Sequence, residues 1–369
     1  MSNPPQSTQT WAPPVCPNPN CPHHHHCEQP WPFKKIGFFR RQQAPHRIQR
    51  FTCLTCRRSF STQTFSTSYW QKRPDLDARL IMRTIGCMAN RQIARDLKVS
   101  PETVNRHLAR LGRHCLLYHQ QAIKDAPAPG AVVIDGFESF ELSQYFPMHH
   151  HVAVEKGTDF FIYFTDSELR RKGRMTEVQR RRRQDLERRL GRPQPQAIEV
   201  DVRELLAVVF QGVQQAVVYS DEHPAYRRSL QGLAVRIAQR VTPGRAHRDQ
   251  HNALWEVNLL DLLIRHSSAN HKRETIAWSK RRQASAERLA ILLVWRNYMK
   301  GRREKERGSP TPAMARGMAE RPLSITELLS ERLFRTHIAL PPRWSEYYDR
   351  TVRTRALGRQ RRHELKYGY

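Results

Sequence analysis

Between Pro74 and Tyr118 the apolar positions Leu80, Ile81, Ile85, Ile93, Ala94, Leu97, Val104, Leu108 and Leu111 recur at three- and four-residue intervals. That period predicts helices with one buried face. The stretch before it has another texture: from Cys16 to Phe60, Cys, Pro and aromatic residues dominate and no long apolar period develops. Asp125-Ala-Pro-Ala-Pro-Gly130 reads as a linker. Beyond it, short continuous apolar runs take over. Ala131–Ile134, His151–Val154, Phe160–Phe164 and Ala216–Tyr219 predict buried strands, and Leu233–Ile237 a weaker one. Lys156-Gly-Thr-Asp159 suits a hairpin between the second and third of these. Residues 167–192 are strongly basic and read as helical, Leu205–Val213 as a helix, and His251–Lys300 as helical again. Residues 301–369 read as a basic helical tail, broken at Pro341-Pro342.

Charge sharpens this outline. The 369 residues carry 63 Lys+Arg against 34 Asp+Glu, a formal net charge of +29. Such an excess points to a polyanionic partner, nucleic acid first among them. An RNA-binding or ribosomal protein would share that charge. No apolar run approaches the roughly 18 residues a membrane span needs. Met1–Pro14 is polar and Pro-rich, without the order of a signal peptide, so a reducing cytoplasm is expected. The seven cysteines then read as metal ligands or buried thiols rather than disulfides.

Four of those cysteines form two close pairs, Cys16-Pro-Asn-Pro-Asn-Cys21 and Cys53-Leu-Thr-Cys56, with 31 residues between them. Pairs on tight turns can bring four thiolates to one tetrahedral Zn²⁺, closing the site and making it structural. The segment has too few apolar residues to fold without such a staple. One of His23–His26 or Cys27 could replace Cys16 or Cys21, although a solvent-exposed histidine run fits them better. Phe38, Phe39, Arg40, Arg41, Arg50, Arg57 and Arg58 supply a basic, aromatic surface suited to nucleic acid.

The periodic stretch contains Asn90-Arg-Gln-Ile-Ala-Arg-Asp-Leu-Lys-Val-Ser-Pro-Glu-Thr-Val-Asn-Arg-His-Leu108, a helix-turn-helix pattern. Val99 plugs the turn, Ser100 is a good N-cap, and Pro101 suits the first helical position. Glu102, Thr103, Asn105, Arg106 and Arg110 are left to face outward, residue types that touch base edges and phosphates in a major groove.

Two acids sit at predicted strand ends: Asp135 after Ala131–Ile134, and Asp221 after Ala216–Ser220. The element order is the one a ribonuclease-H-like α/β core requires, and there these strands lie side by side. Converging Asp oxygens are hard ligands for Mg²⁺ or Mn²⁺, and two such ions can serve both oxygens of a phosphoryl displacement.

Together these motifs resemble the DDE transposases of the insertion-sequence-one group. The likeness is carried by Arg50-Phe-Thr-Cys-Leu-Thr-Cys-Arg-Arg-Ser-Phe60, the helix-turn-helix, Ile134-Asp135, Ser220-Asp-Glu-His-Pro-Ala-Tyr226 and Arg273-Glu-Thr-Ile-Ala-Trp-Ser-Lys280, scattered from about Cys16 to Lys300. It implies cleavage at the ends of a mobile element with Mg²⁺ or Mn²⁺, then transfer of the freed 3′-hydroxyl into target DNA. Asp135 and Asp221 correspond to the first two acids. Aligned back from Arg273, the family's glutamate falls on Asn258 and its following asparagine on Asp261. Asp261 is one turn beyond Asn258 on the same helical face, so it is the favoured third acid, with Asn258 lending its carbonyl oxygen. Glu256 is the reserve, and Glu287 aligns worst. The resemblance further implies a homodimer on DNA in the cytoplasm, associated with a prokaryotic nucleoid.

The organisation expected is therefore a flexible lead (1–15), a zinc-ribbon-like module (16–62), an all-α helix-turn-helix DNA-binding domain (74–122), a linker (123–130), a ribonuclease-H-like core (131–300) with a basic insertion (167–192), and the tail (301–369). A non-catalytic DNA-binding regulator built on a decayed version of the same fold is the competing expectation.

Overall fold

Rings and thiols, rather than aliphatic side chains, organise the first part of the chain. The computed structural model describes residues 11–25 and 28–355. In it β1 (Phe33–Arg40), β2 (Arg47–Cys53) and β3 (Ser59–Ser61) pair antiparallel in that order. Trp31, Phe51, Phe60 and Phe65 close a small core around Cys16, Cys21 and Cys53. Phe51 and Phe60 stack with ring centres 5.5 Å apart.

Three helices follow: α1 (Asp77–Ile85), α2 (Asn90–Asp96) and α3 (Pro101–Ala122). The Ser100 hydroxyl accepts the Thr103 N–H at 3.1 Å and so caps α3, with Pro101 opening the first turn. Leu80, Ile81, Ile93, Ala94, Val104 and Leu108 turn inward. The helix does not stop at that small bundle. Its second half, including Cys115, Leu116 and Leu117, is buried and runs along α8 (Arg282–Val294). Gly112 permits the contact: a Cβ there would lie 2.4 Å from the Glu287 carbonyl oxygen.

The main sheet contains β4 (Ala131–Phe140), β5 (Pro147–Glu155), β6 (Phe161–Glu168), β7 (Gln215–Ser220) and β8 (Arg236–Val241) in the order β6-β5-β4-β7-β8. The first three strands form an antiparallel meander, whereas β7 and β8 run parallel to β4. Parallel neighbours need crossover connections. These are supplied by α4 (Glu177–Leu190) and α5 (Ala197–Val209) before β7, and by α6 (Pro224–Ser229) before β8. A further helix, α7 (Trp255–Ser267), packs on β4 and β5. This mixed sheet with its helices is compatible with a ribonuclease-H-like core.

Several boundaries differ from those expected; the helix expected over Leu205–Val213, for one, spans Ala197–Val209. The first core strand extends to Phe140 because Phe137 is buried and pairing with β5 continues to Pro147. The last strand begins at Arg236, after the left-handed turn at Gly232. His251–Lys300 is two helices separated by an irregular stretch in which Asn270 and His271 are buried. The separate-tail reading of residues 301–369 also gives way over the described residues, which end at 355. Trp344, Tyr347 and Tyr348 share one face of α9 (Pro342–Asp349) and are fully buried. Trp344 donates to the Phe164 carbonyl at 3.1 Å, the Tyr347 hydroxyl to Asp166, and Arg343 to Asp201 at 2.6 Å. Arg332 ties the same segment to the Thr64 carbonyl at 2.9 Å. One apolar cluster accordingly runs from Leu76 to Val352, and the 123–130 stretch does not divide it.

Candidate functional site

The register of β4 on β7 sets Val133 opposite Tyr219; Asp135 lies two residues further along β4, and Asp221 directly follows the end of β7 at Ser220, close enough for its charge to act on Asp135. Gly136 follows because a Cβ would fall 2.2 Å from the His149 ring. Asp135 accepts the Gly136 N–H at 2.7 Å and lies 3.5 Å from the Tyr226 hydroxyl. Asp221 accepts the His223 N–H at 2.9 Å, at the turn into α6. Burial holds the Asp135 carboxyl up at about 6; the Gly136 N–H opposes this and the Asp221 charge adds to it. Asp261, on α7, is pushed to about 7 by burial and then by Asp135, against the pull of Arg265, Arg248 and Arg273. Its Oδ1 is buried with no hydrogen-bond partner among the described residues. Asp135 thus stands within electrostatic range of both Asp221 and Asp261, and all three act on Tyr226, whose own ionisation burial and these acids suppress. Like charges that raise one another's protonation would be relieved by a cation.

The other acids of the helix and its surroundings are engaged elsewhere. Glu256 accepts Lys156 Nζ at 2.8 Å and the Gly157 N–H at 3.0 Å, on another side of α7. Asn258 is half-buried one turn before Asp261. Glu287 accepts from Gln283 at 3.0 Å and faces Arg350, beneath the crossing of α3 and α8. Tyr226 was the residue that sequence reasoning left without a role. It stands in the quoted 220–226 motif, but its approach to Asp135 depends on the turn into α6.

In the N-terminal module the thiols of Cys16, Cys21, Cys53 and Cys56 all lie within 4.8 Å of one another. Cys16–Cys56 and Cys21–Cys53 are 3.6 and 3.8 Å apart. Zn–S bonds of about 2.3 Å in a tetrahedron set sulfurs about 3.8 Å apart, so the cluster fits a zinc ribbon. Burial pushes the thiols of Cys16 and Cys21 up, a cost that a bound cation would reverse. The histidine run is not the solvent-exposed string expected. His24 is buried, its ring nitrogens 2.6 Å from the Cys16 carbonyl and 2.6 Å from the Thr336 hydroxyl. It adjoins His25 and His337, while His26 and Cys27 lie outside the described residues.

On α3, Glu102, Asn105 and Arg106 are exposed and Thr103 is half-buried. Arg106 pairs with Glu102 at 3.1 Å across one turn, and Asn105 accepts from Asn90. Arg110 differs: its guanidinium donates inward to the Thr67 and Tyr69 carbonyls, and burial lowers its ionisation to about 10. Helical period assigns a face; it is blind to the 67–69 segment lying over that face.

No described helix is long and apolar enough to cross a membrane. No protein-family model matches the chain, and neither does any curated protein. Among solved structures, one match is a chain of the cryo-electron-microscopy structure of a simian T-cell lymphotropic virus intasome in complex with PP2A regulatory subunit B56 gamma. It is 14% identical over 54% of this chain, spans only 58% of that chain, and has a TM-score of 0.23. Another is the catalytic domain of Mos1 mariner transposase, 11% identical over 51% of this chain and 87% of that one, TM-score 0.19. The same domain solved with raltegravir and Mg matches at 12% identity over 68% of this chain and 96% of that one, again with a TM-score of 0.19.

Proposed function

We propose that this chain is a DDE-type transposase that binds the ends of a mobile element, cuts them and transfers the freed 3′-hydroxyl to target DNA. The observation that carries the reading is the buried oxygen of Asp261, unpartnered among the described residues, within electrostatic range of Asp135, with Asp221 directly after the neighbouring strand. Asp135, Asp221 and Asp261 would hold Mg²⁺ or Mn²⁺, hard cations that take carboxylate oxygens. When bound, such ions supply Lewis acidity to the attacking and leaving oxygens of a phosphoryl displacement. The chain's own residues do the rest. Tyr226 holds Asp135 in place, while Arg248, Arg265 and Arg273 offset the acids and bring positive charge to where a DNA phosphate must sit.

The remaining parts act as DNA-binding arms in this reading. The module over 16–62 holds a structural Zn²⁺ on Cys16, Cys21, Cys53 and Cys56. The helices over 74–122 place Glu102, Thr103, Asn105 and Arg106 against a major groove. The core over 131–300 is catalytic, α4 with its many arginines grips phosphates, and two copies pair two element ends. The resemblance to the insertion-sequence-one group implies the same programme in a prokaryotic cytoplasm.

The test uses the full chain with Mg²⁺ or Mn²⁺ and duplex DNA taken from the flanks of its coding sequence. Nicked or joined products are expected, lost in Asp135→Ala, Asp221→Ala and Asp261→Asn while duplex binding is retained. Cleavage surviving in the first two variants would remove the assignment. Tight binding with no strand chemistry in any metal would make the protein a regulator instead.

A further inference from the structure

A cleft of about 970 Å³ is lined by the cysteine module and the C-terminal segment, and none of the three acids lines it. Small-molecule sites occupy about 300–1,000 Å³, so this one has room for nucleotides. Among the described residues, five arginines and no acidic residue line it. Arg41 donates to Gln63, Arg332 to the Thr64 carbonyl and Arg335 to Ser345, so these three brace the walls. Arg50 and Arg58, on the module's surface, are exposed. Trp70 lines the same cleft, 66% exposed and in the left-handed backbone region at φ 56°. A bulky residue held there is a costly conformation that usually accompanies a specific use.

An exposed indole lining an arginine-rich cleft offers a polyanion a ring face on which a base can stack. Paired bases hide their faces inside the duplex, so a duplex would meet this cleft with phosphates and base edges and leave the indole face without a base to stack on. We propose that the cleft binds an unpaired stretch of DNA, with a base stacked on Trp70 and the flanking phosphates held by Arg50 and Arg58. The choice of DNA over RNA rests on the transposase reading; the unpaired strand rests on the cleft alone. The site is separate from the helix face that reads duplex in that reading. It would let one chain hold a frayed or cut end while the duplex is held elsewhere.

Fluorescence anisotropy of the full, zinc-loaded chain tests this. The probes are a labelled oligothymidine of about 12 nucleotides, within the roughly 4–16 that one single-strand site covers, an oligouridine of equal length, and a blunt duplex. Trp70→Ala should weaken oligothymidine binding about ten-fold or more, Trp70→Phe should restore most of it, and duplex affinity should not change. The Arg50→Ala, Arg58→Ala pair should reduce the slope of log affinity against log salt by about 1.4. An unchanged oligothymidine affinity in Trp70→Ala, or equal losses on both DNAs, overturns the proposal. Tighter binding of oligouridine overturns the assignment to DNA. Loss of stacking with no metal-dependent cleavage would sink the transposase reading and leave this one standing; cleavage without any effect at Trp70 would do the reverse.

Discussion

Asp135 and Asp261 carry the same message about the folded state. Buried beside each other, they sit at about 6 and about 7 instead of the ordinary 3.8. The folded chain therefore holds more protons than the unfolded chain between those values. Stability contributed by the protonated acids is present at low pH and lost as pH rises through the folded values. Without divalent ions, the melting temperature should decline from about pH 5 to about pH 8, and Asp261→Asn should flatten the decline. Mg²⁺ should raise the melting temperature near pH 8 and hardly at all near pH 5, because protonated carboxyls do not ligate. Equal Mg²⁺ effects at both would contradict the arrangement, and differential scanning fluorimetry reads both series. At this scale the sequence was informative where backbone position sufficed. An acid directly after an apolar strand is visible in the chain. Tyr226 and Arg110 were not, because what they meet comes from residues distant in sequence.

Elements tell a different story about what a local pattern can reveal. The cysteine pairs were legible since two short spacings define one ligand set, and the thiols stand at zinc-like separations. A structural Zn²⁺ contributes about 10–16 kcal/mol to small zinc modules, comparable with the about 5–15 kcal/mol of a whole domain. Chelation, or Cys53→Ser, should therefore strip hydrogen-exchange protection from β1–β3 while β4–β7 remain protected. Undiminished protection in β2 would show that the aromatic core suffices without metal. The long helix α3 was only half legible. Its capped start follows from Ser100-Pro101, but its passage into the core depends on Gly112 meeting α8, and nothing local in the sequence announces that contact.

For the whole molecule, net charge points to a polyanionic partner without saying which surface would meet it. It also disguised the C-terminal segment, whose arginines suggested a basic helical tail. The apolar signal was present at Trp344, Tyr347 and Tyr348, spaced to share a helix face, yet the partners lie on β6. Trp344→Ala should destabilise the chain by about 3–5 kcal/mol, as deletion of a fully buried aromatic does, measured by urea unfolding. A loss within about 0.5 kcal/mol would be that of a surface residue and would return the segment to the status of a tail.

The central claim is that Asp135, Asp221 and Asp261 form one divalent-metal site, and anomalous diffraction from crystals of the full chain soaked in Mn²⁺ addresses it directly. The account predicts a peak bonded at about 2.1 Å to oxygens of Asp135 and Asp261, with Asp221 beside it or on a second ion. Manganese bound only elsewhere, with these three carboxyls bare, would contradict it.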